Sequence, residues 1–230
     1  MLLMQKKMDL LVAEIEKYTI DNPELWKCHH FLFDKALNGK QQSGKLDFLV
    51  MAMNPGETAM CRTMFPRLLN TPSLEESSRR NQLESDTPEK SSINWQKKCH
   101  DILGPKNIVL GEMFFWSTPK DSDLPKIFSK AQLDKHYIFC SKINRAMIEI
   151  RQPKVIVFPG ILKESKAVKL YNLQPTSRPH IMDTQKRGKL ISFWSYGSTP
   201  WVFTKHWSGA RLSNIEKNII TSELKSLVDS

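Results

Sequence analysis

Missing from this sequence is any apolar run approaching the roughly 18 to 20 residues that a membrane span needs. The opening segment, MLLMQKKMDLLVAEIEKYT, carries no basic n-region, no long apolar centre and no small-residue cleavage site. It therefore does not read as a signal peptide, and the cytoplasm is the expected compartment. Cysteine is sparse: Cys28, Cys61, Cys99 and Cys140 are scattered and form no C-x-x-C pair, which argues against a zinc ribbon and predicts reduced thiols. The adjacent His29 and His30 cannot both point at one ion from a regular helix, so no metal is expected there. No glycine-rich phosphate loop, no metal-ligand spacing and no lysine placed as a Schiff-base nucleophile appears elsewhere. The expectation is a protein with no cofactor and no metal, working away from membranes.

What the chain has in excess is positive charge. Its 34 Lys and Arg against 24 Asp and Glu leave a formal charge of +10. Such an excess favours a polyanionic partner, nucleic acid first and an acidic membrane surface second. The length of 230 residues suits a single α/β domain with a real core. That domain would include N-terminal helices over 1–44 and a polar surface insertion over 67–106.

Within this frame the apolar runs are short and bounded by turn chemistry. Leu10, Leu11, Ala13 and Ile15 recur at helical spacing, and DNPELWKCHHFLFDKALNG reads as a second helix stopped at Gly39. KLDFLVMAM reads as a buried strand ending at Asn54-Pro55-Gly56. NIVLGEMFFW is a second strand, and PKVIVFPG a third. Helical stretches surround SINWQKKCHDIL and fill KHYIFCSKINRAMIEIRQ and ILKESKAVKLYN. KLISFWSYGSTPWVFTKHWSG holds at least one more strand, with a hairpin predicted around Gly197. Ser213 and Glu216 have capping-box spacing at the start of the last helix. Strands alternating with helices predict a three-layer α/β/α sandwich around a mainly parallel four-stranded sheet. In such sheets ligands gather at the carboxyl ends of the strands. Asn54, the 117–119 loop, Gly160 and His206 all lie at predicted strand ends.

Two of those ends carry motifs. MNPG after the first strand and HWSGARLS after the last resemble the two signature segments of the uracil-DNA glycosylase superfamily. The order of motif, second strand, third strand, motif and C-terminal helix is similar as well, over residues 45–220. The resemblance implies the fold of that superfamily and the hydrolysis of an N-glycosidic bond in DNA. Asn54 would hold the attacking water and His206 would donate a hydrogen bond to the base carbonyl. Met53 and Phe65 would border the flipped base, Phe65 by stacking. Ser208, Gly209, Ala210, Arg211 and Leu212 would form the loop that enters the duplex. The partner would be DNA and the protein a monomer. The iron–sulfur branches of the superfamily need clustered cysteines, which are not in this sequence.

Three positions depart from the family pattern. Ala52 stands where Gly is usual, Trp207 replaces a proline, and Glu112 occupies the place of an Asn that reads uracil. An ionised carboxylate only accepts hydrogen bonds; it repels uracil O4 and suits the N4 amino group of cytosine. The expectation is a preference for modified cytosine, such as the hydroxymethylated or glucosylated base of phage DNA, and a role in antiviral defence. Other readings stay open at this point. Asn-Pro-Gly is an excellent turn in any protein, Phe65 and His206 can be packing residues, and Glu112 can be a structural carboxylate. A uracil or mismatch repair glycosylase, a non-catalytic nucleic-acid-binding module and a nucleoside hydrolase are the alternative functions.

Overall fold

Short buried strands and amphipathic helices alternate along the chain. The computed structural model describes residues 2–29, 31–36, 45–54, 90–183, 188–207 and 212–229. Among these the helices are α1 (Leu2–Asp21), α2 (Lys90–Leu103), α3 (Leu124–Ile127), α4 (Lys130–Arg151), α5 (Glu164–Tyr171) and α6 (Asn214–Asp229). The strands are β1 (Lys35–Ala36), β2 (Phe48–Ala52), β3 (Ile108–Glu112), β4 (Val155–Pro159), β5 (Gln174–Pro175), β6 (Ile181–Met182), β7 (Lys189–Tyr196) and β8 (Thr199–Thr204). No helix among the described residues is long and apolar enough to cross a membrane. The chain forms two units: Met1–Lys35, Met53–Lys90 and Gly111–Arg151 make the first, and Ala36–Ala52, Ser91–Leu110 and Gln152–Ser230 the second.

The sheet runs β1-β3-β2-β4-β8-β7-β5, with β6 also paired to β7. β2 and β4 pair in parallel with Phe48 opposite Val155, and β4 and β8 do the same with Val157 opposite Val202. β3 runs the same way as β2. Phe48 N–H donates to Asn107 O (3.1 Å) at the start of the pair, and Phe114 N–H to Met53 O (2.9 Å) past its end. β7 is antiparallel to β8, turned back through Gly197, whose φ of +56° suits a residue without a Cβ. β5 and β6 are antiparallel to β7. The sheet is therefore mixed and larger than the mainly parallel four-stranded one expected from the sequence. The hairpin at Gly197 reverses the chain, and the exposed edge of β7 then recruits residues 174–175 and 181–182.

Alternation along the strands sends side chains to both faces. Phe48, Val50, Val155, Val157 and Val202 pack with Cys99, Ile102 and Leu103 of α2 and with Ile220, Leu224 and Val228 of α6. On the other face Trp201 meets Tyr171 of α5 with ring centroids 4.7 Å apart. Burial pushes the Cys99 thiol up to about 12, so it sits in this core as a neutral apolar group.

In the first unit α1 lies against α4, with Tyr18 stacked on Phe139 at 3.6 Å and Lys142 bonded to Glu14 at 2.7 Å. The stretch after α1 departs from the expected helix. Pro23–Lys27 forms one 3-10 turn, and then the chain extends: Phe31 bridges Trp116, and Leu32 N–H donates to Phe115 O at 2.9 Å. Phe31, Leu32 and Phe33 are all buried, and three consecutive buried side chains cannot share one face of a helix. The expected stop at Gly39 lies outside the described residues.

His136 of α4 is fully buried among Phe114, Trp116 and Phe128. Its Nδ1 lies 3.0 Å from the Tyr18 hydroxyl and its Nε2 3.4 Å from Glu24. Burial lowers its pKa to about 4, with Glu24 pulling the other way and Lys135 reinforcing the drop. The unfolded chain takes up this proton below about pH 6.5, whereas the folded protein holds the ring neutral until about 4. Stability should thus be full above pH 6.5, fall as pH drops toward 4, and lose on the order of 3 kcal/mol through this group. Urea unfolding between pH 7 and 4 measures the slope, and His136→Gln should flatten it.

Candidate functional site

The parallel register brings the carboxyl ends of β2, β4 and β8 to one edge of the sheet. The chain leaves β2 toward β3 on one side, and leaves β4 toward the β7–β8 hairpin on the other. The gap beyond the ends of β2 and β4 is therefore a topological switch point, where open α/β sheets bind ligands. Gly160 closes β4 there. Its N–H donates to Thr204 O at 2.9 Å, and a Cβ would come within 2.8 Å of the Phe158 ring, so the position accepts only a residue without a side chain.

Asn54, in the first unit, follows β2 by two residues and is half-buried. Its Nδ2 donates to Thr118 Oγ1 at 2.7 Å, and the Thr118 hydroxyl donates to Lys120 O at 2.8 Å. The chain of bonds has a direction. A backbone carbonyl can only accept, so the single hydroxyl proton is committed to Lys120, and Thr118 can only accept from Asn54. Flipping the amide would set Oδ1 against a lone pair. The Asn54 carbonyl arm is thereby fixed on the side away from Thr118, as an acceptor. Thr118 is buried, and its hydroxyl is one polar group that orients Asn54. Met53, just before it, is half-buried, with its carbonyl in the bond from Phe114. Glu112 is buried at the end of β3, and its backbone carbonyl accepts from Asn144 Nδ2 at 2.8 Å.

His206, in the second unit, follows β8 by two residues and is exposed. Its ring stacks on Trp95 of α2 with centroids 5.8 Å apart and planes 23° from parallel. Trp95 also stacks on Trp207, which is buried in the core under α2 and α6. Trp207 is thereby fixed by burial at the end of the segment that follows β8. Residues before and after this point are tied to one another. Lys205 Nζ bonds Glu216 Oε1 and Asp183 Oδ2, each at 3.0 Å. Glu216 Oε2 accepts from Ser213 N at 2.7 Å, while Ser213 Oγ accepts from Glu216 N at 3.2 Å. This is the capping box expected at the start of α6, here extended into a clamp that joins Lys205 to Glu216. Burial works against the Lys205 ammonium, but the bonds to Glu216 and Asp183 outweigh it and its pKa is raised. Leu212 is half-buried against the same core.

Phe65, Ser208, Gly209, Ala210 and Arg211 lie outside the described residues. Trp95 and Lys205 are the site residues that sequence reasoning missed; Thr118 falls in the 117–119 strand-end loop singled out from the sequence, but its bond to Asn54 was not foreseen. Each acts on a partner through a contact distant in sequence (64 residues for Asn54 and Thr118), and no local pattern marks such a pair. No protein-family model matches the chain, and no curated protein matches it in sequence.

Replacing Lys205 by Met should leave Glu216, whose side chain is fully buried, as an uncompensated charge. The expected loss is about 3 kcal/mol in urea unfolding. An unchanged midpoint would show that the clamp contributes nothing to stability.

Proposed function

We propose that this protein is a monofunctional DNA glycosylase that hydrolyses the N-glycosidic bond of a flipped, modified pyrimidine and leaves an abasic site. Its substrate is a modified cytosine, in hydroxymethylated or glucosylated form, and its role is defence against DNA carrying such bases. The fold it implies is that of the uracil-DNA glycosylase superfamily, with the parallel set β3-β2-β4-β8 as the catalytic scaffold. The observation that carries the proposal is the oriented amide of Asn54 at the end of β2, its Nδ2 donating to Thr118, whose hydroxyl donates in turn to the Lys120 carbonyl.

As the C1′–N1 bond breaks, its electron pair moves to the base and positive charge develops on the sugar. A water accepted by the Asn54 carbonyl through one O–H keeps a lone pair for C1′. Orientation suffices for such a reactive electrophile, and no strong base is required. His206 donates to the base O2, where negative charge accumulates, and can do so as a neutral imidazole. The water oxygen bonds C1′, and the proton it sheds ends on the departing base. Met53 and Phe65 border the base. The Glu112 carboxylate accepts from the cytosine N4 amino group. Ser208, Gly209, Ala210, Arg211 and Leu212 form the loop that fills the gap left in the duplex, and the formal charge of +10 holds the phosphates.

Labelled oligonucleotides carrying uracil, hypoxanthine, mismatched thymine, 5-hydroxymethylcytosine or its glucosylated form test this, with hot alkali revealing abasic sites. Cleavage is expected on the modified cytosines and little on uracil. Asn54→Ala and His206→Ala should each lower the single-turnover rate by roughly 100-fold. Thr118→Val should lower it by about 10-fold through loss of orientation, and Thr118→Ser should restore it. Glu112→Gln adds a donor and should move the preference toward uracil. Tight binding without abasic sites on any of these substrates would instead make the protein a nucleic-acid-binding module.

A further inference from the structure

The second unit contains a cavity of about 450 Å³ between α5 and β7, within the size range of small-ligand sites. Its apolar wall comes from Ile161, Leu162 and Val168, and Leu162 is 92% exposed at the lip. Its polar wall is built around Glu164, the first residue of α5. Glu164 Oε1 accepts from Lys189 Nζ at 2.9 Å, from Ser192 Oγ at 2.7 Å and from Trp194 Nε1 at 2.8 Å. Burial works against the carboxylate, but the bonds from Ser192, Lys189 and Trp194 outweigh it and keep its pKa below the usual range.

Two consequences follow. The Trp194 indole is locked by its N–H, so an aromatic surface of fixed orientation lines the cavity. Glu164 Oε2 has one described bond, to Lys189 at 3.2 Å, and a carboxylate oxygen has room for a further donor. Lys169, one turn along α5 from Ser165, adds an exposed ammonium at the rim. A flat ring to lie on the indole, an amino group for Glu164 and an anion for Lys169 are the parts of a nucleotide with an amino-bearing base. Aromatic platforms beside positive charge are how proteins hold unpaired nucleic acid, and the chain's charge of +10 fits that partner.

We propose that the cavity between α5 and β7 is a binding subsite for one unpaired nucleotide of single-stranded nucleic acid, its cytosine or adenine base lying on Trp194 and its phosphate on Lys169. The subsite is separate from the proposed excision chemistry and does not depend on it. Because the Glu164 carboxylate accepts from N4 or N6 amino groups, thymine and uracil are disfavoured.

The test uses the full chain and a single-stranded oligonucleotide of adenine and thymine, bases outside the proposed excision substrates. An 8-azidoadenine in that strand is photocrosslinked and the adduct mapped by peptide mass spectrometry. Fluorescence polarisation then compares oligo-dA with oligo-dT. An adduct at Trp194 or at its cavity neighbours is expected. Oligo-dA should bind more tightly than oligo-dT, with Glu164→Gln erasing the difference and Trp194→Ala weakening oligo-dA roughly 10-fold. Lys169→Ala should lower affinity and flatten the salt dependence. Adducts only outside the cavity, or wild-type affinity in Trp194→Ala, would overturn the proposal. Should thermal melting show Trp194→Ala to be unfolded, the wild-type crosslink decides alone. Failure of base excision leaves this result untouched, since no excisable base is present.

Discussion

The parallel backbone ladder from β2 through β4 to β8 is the constraint on which the rest of the second unit depends. Each strand in it is nearly all buried, and buried backbone N–H and C=O groups must be paired. The ladder meets that demand and, because its strands point the same way, collects three carboxyl ends on one edge. What leaves that edge within the second unit begins from a fixed place: Gly160 tied to Thr204, and Lys205 and His206 after β8. The hairpin at Gly197 then turns β7 back along β8 and makes the wall against which α5 closes.

Polar side chains do a second job at these ends. Unpaired, the carboxylate of Glu216 or the hydroxyl of Thr118 would be costly where they sit, since both are fully buried. Each is satisfied in a way that also orients a neighbour. Glu216 answers the N-terminus of α6 with one oxygen and Lys205 with the other. Thr118 accepts from Asn54, and its hydroxyl donates to the Lys120 carbonyl. Glu164 does the same at the start of α5, holding Trp194 and Lys189 together. Satisfying a buried group and aiming a side chain are here the same interaction.

The fold was legible where local chemistry agrees with the tertiary result. FLVMA and VIVFP are buried strands flanked by turn residues, Gly197 supplies the left-handed turn of a hairpin, and Ser213 with Glu216 caps a helix, all from neighbours within a few residues. The segment after α1 was misread because Asp21-Asn22-Pro23 has the form of a helix entry and Gly39 that of a stop, while its fate was decided by strand-like pairing with Phe115 and Trp116 far along the chain. The added strands β5 and β6 were missed for a related reason: each is two residues long and exists only because β7 offers an unpaired edge. Asn54 and His206 could each be singled out from turn and motif chemistry. The 117–119 loop could be placed at a strand end as well, but the bond that makes Thr118 the partner of Asn54 could not, and Trp95 lies in a polar helix with no mark of its purpose.

By itself the sequence determined which runs are buried, where the chain turns, the excess of positive charge and which side chains stand at strand ends. These are properties of residues and their near neighbours, and local physics settles them. Only the tertiary structure decided the mixed order of the sheet, the direction of the Asn54 amide, the stacking of His206 on Trp95, the clamp through Lys205 and the cavity beside Trp194. Each of those depends on groups brought together across many residues of chain, and a pairing of that kind is selected by packing and by the need to satisfy buried polar atoms, which no short stretch of sequence encodes.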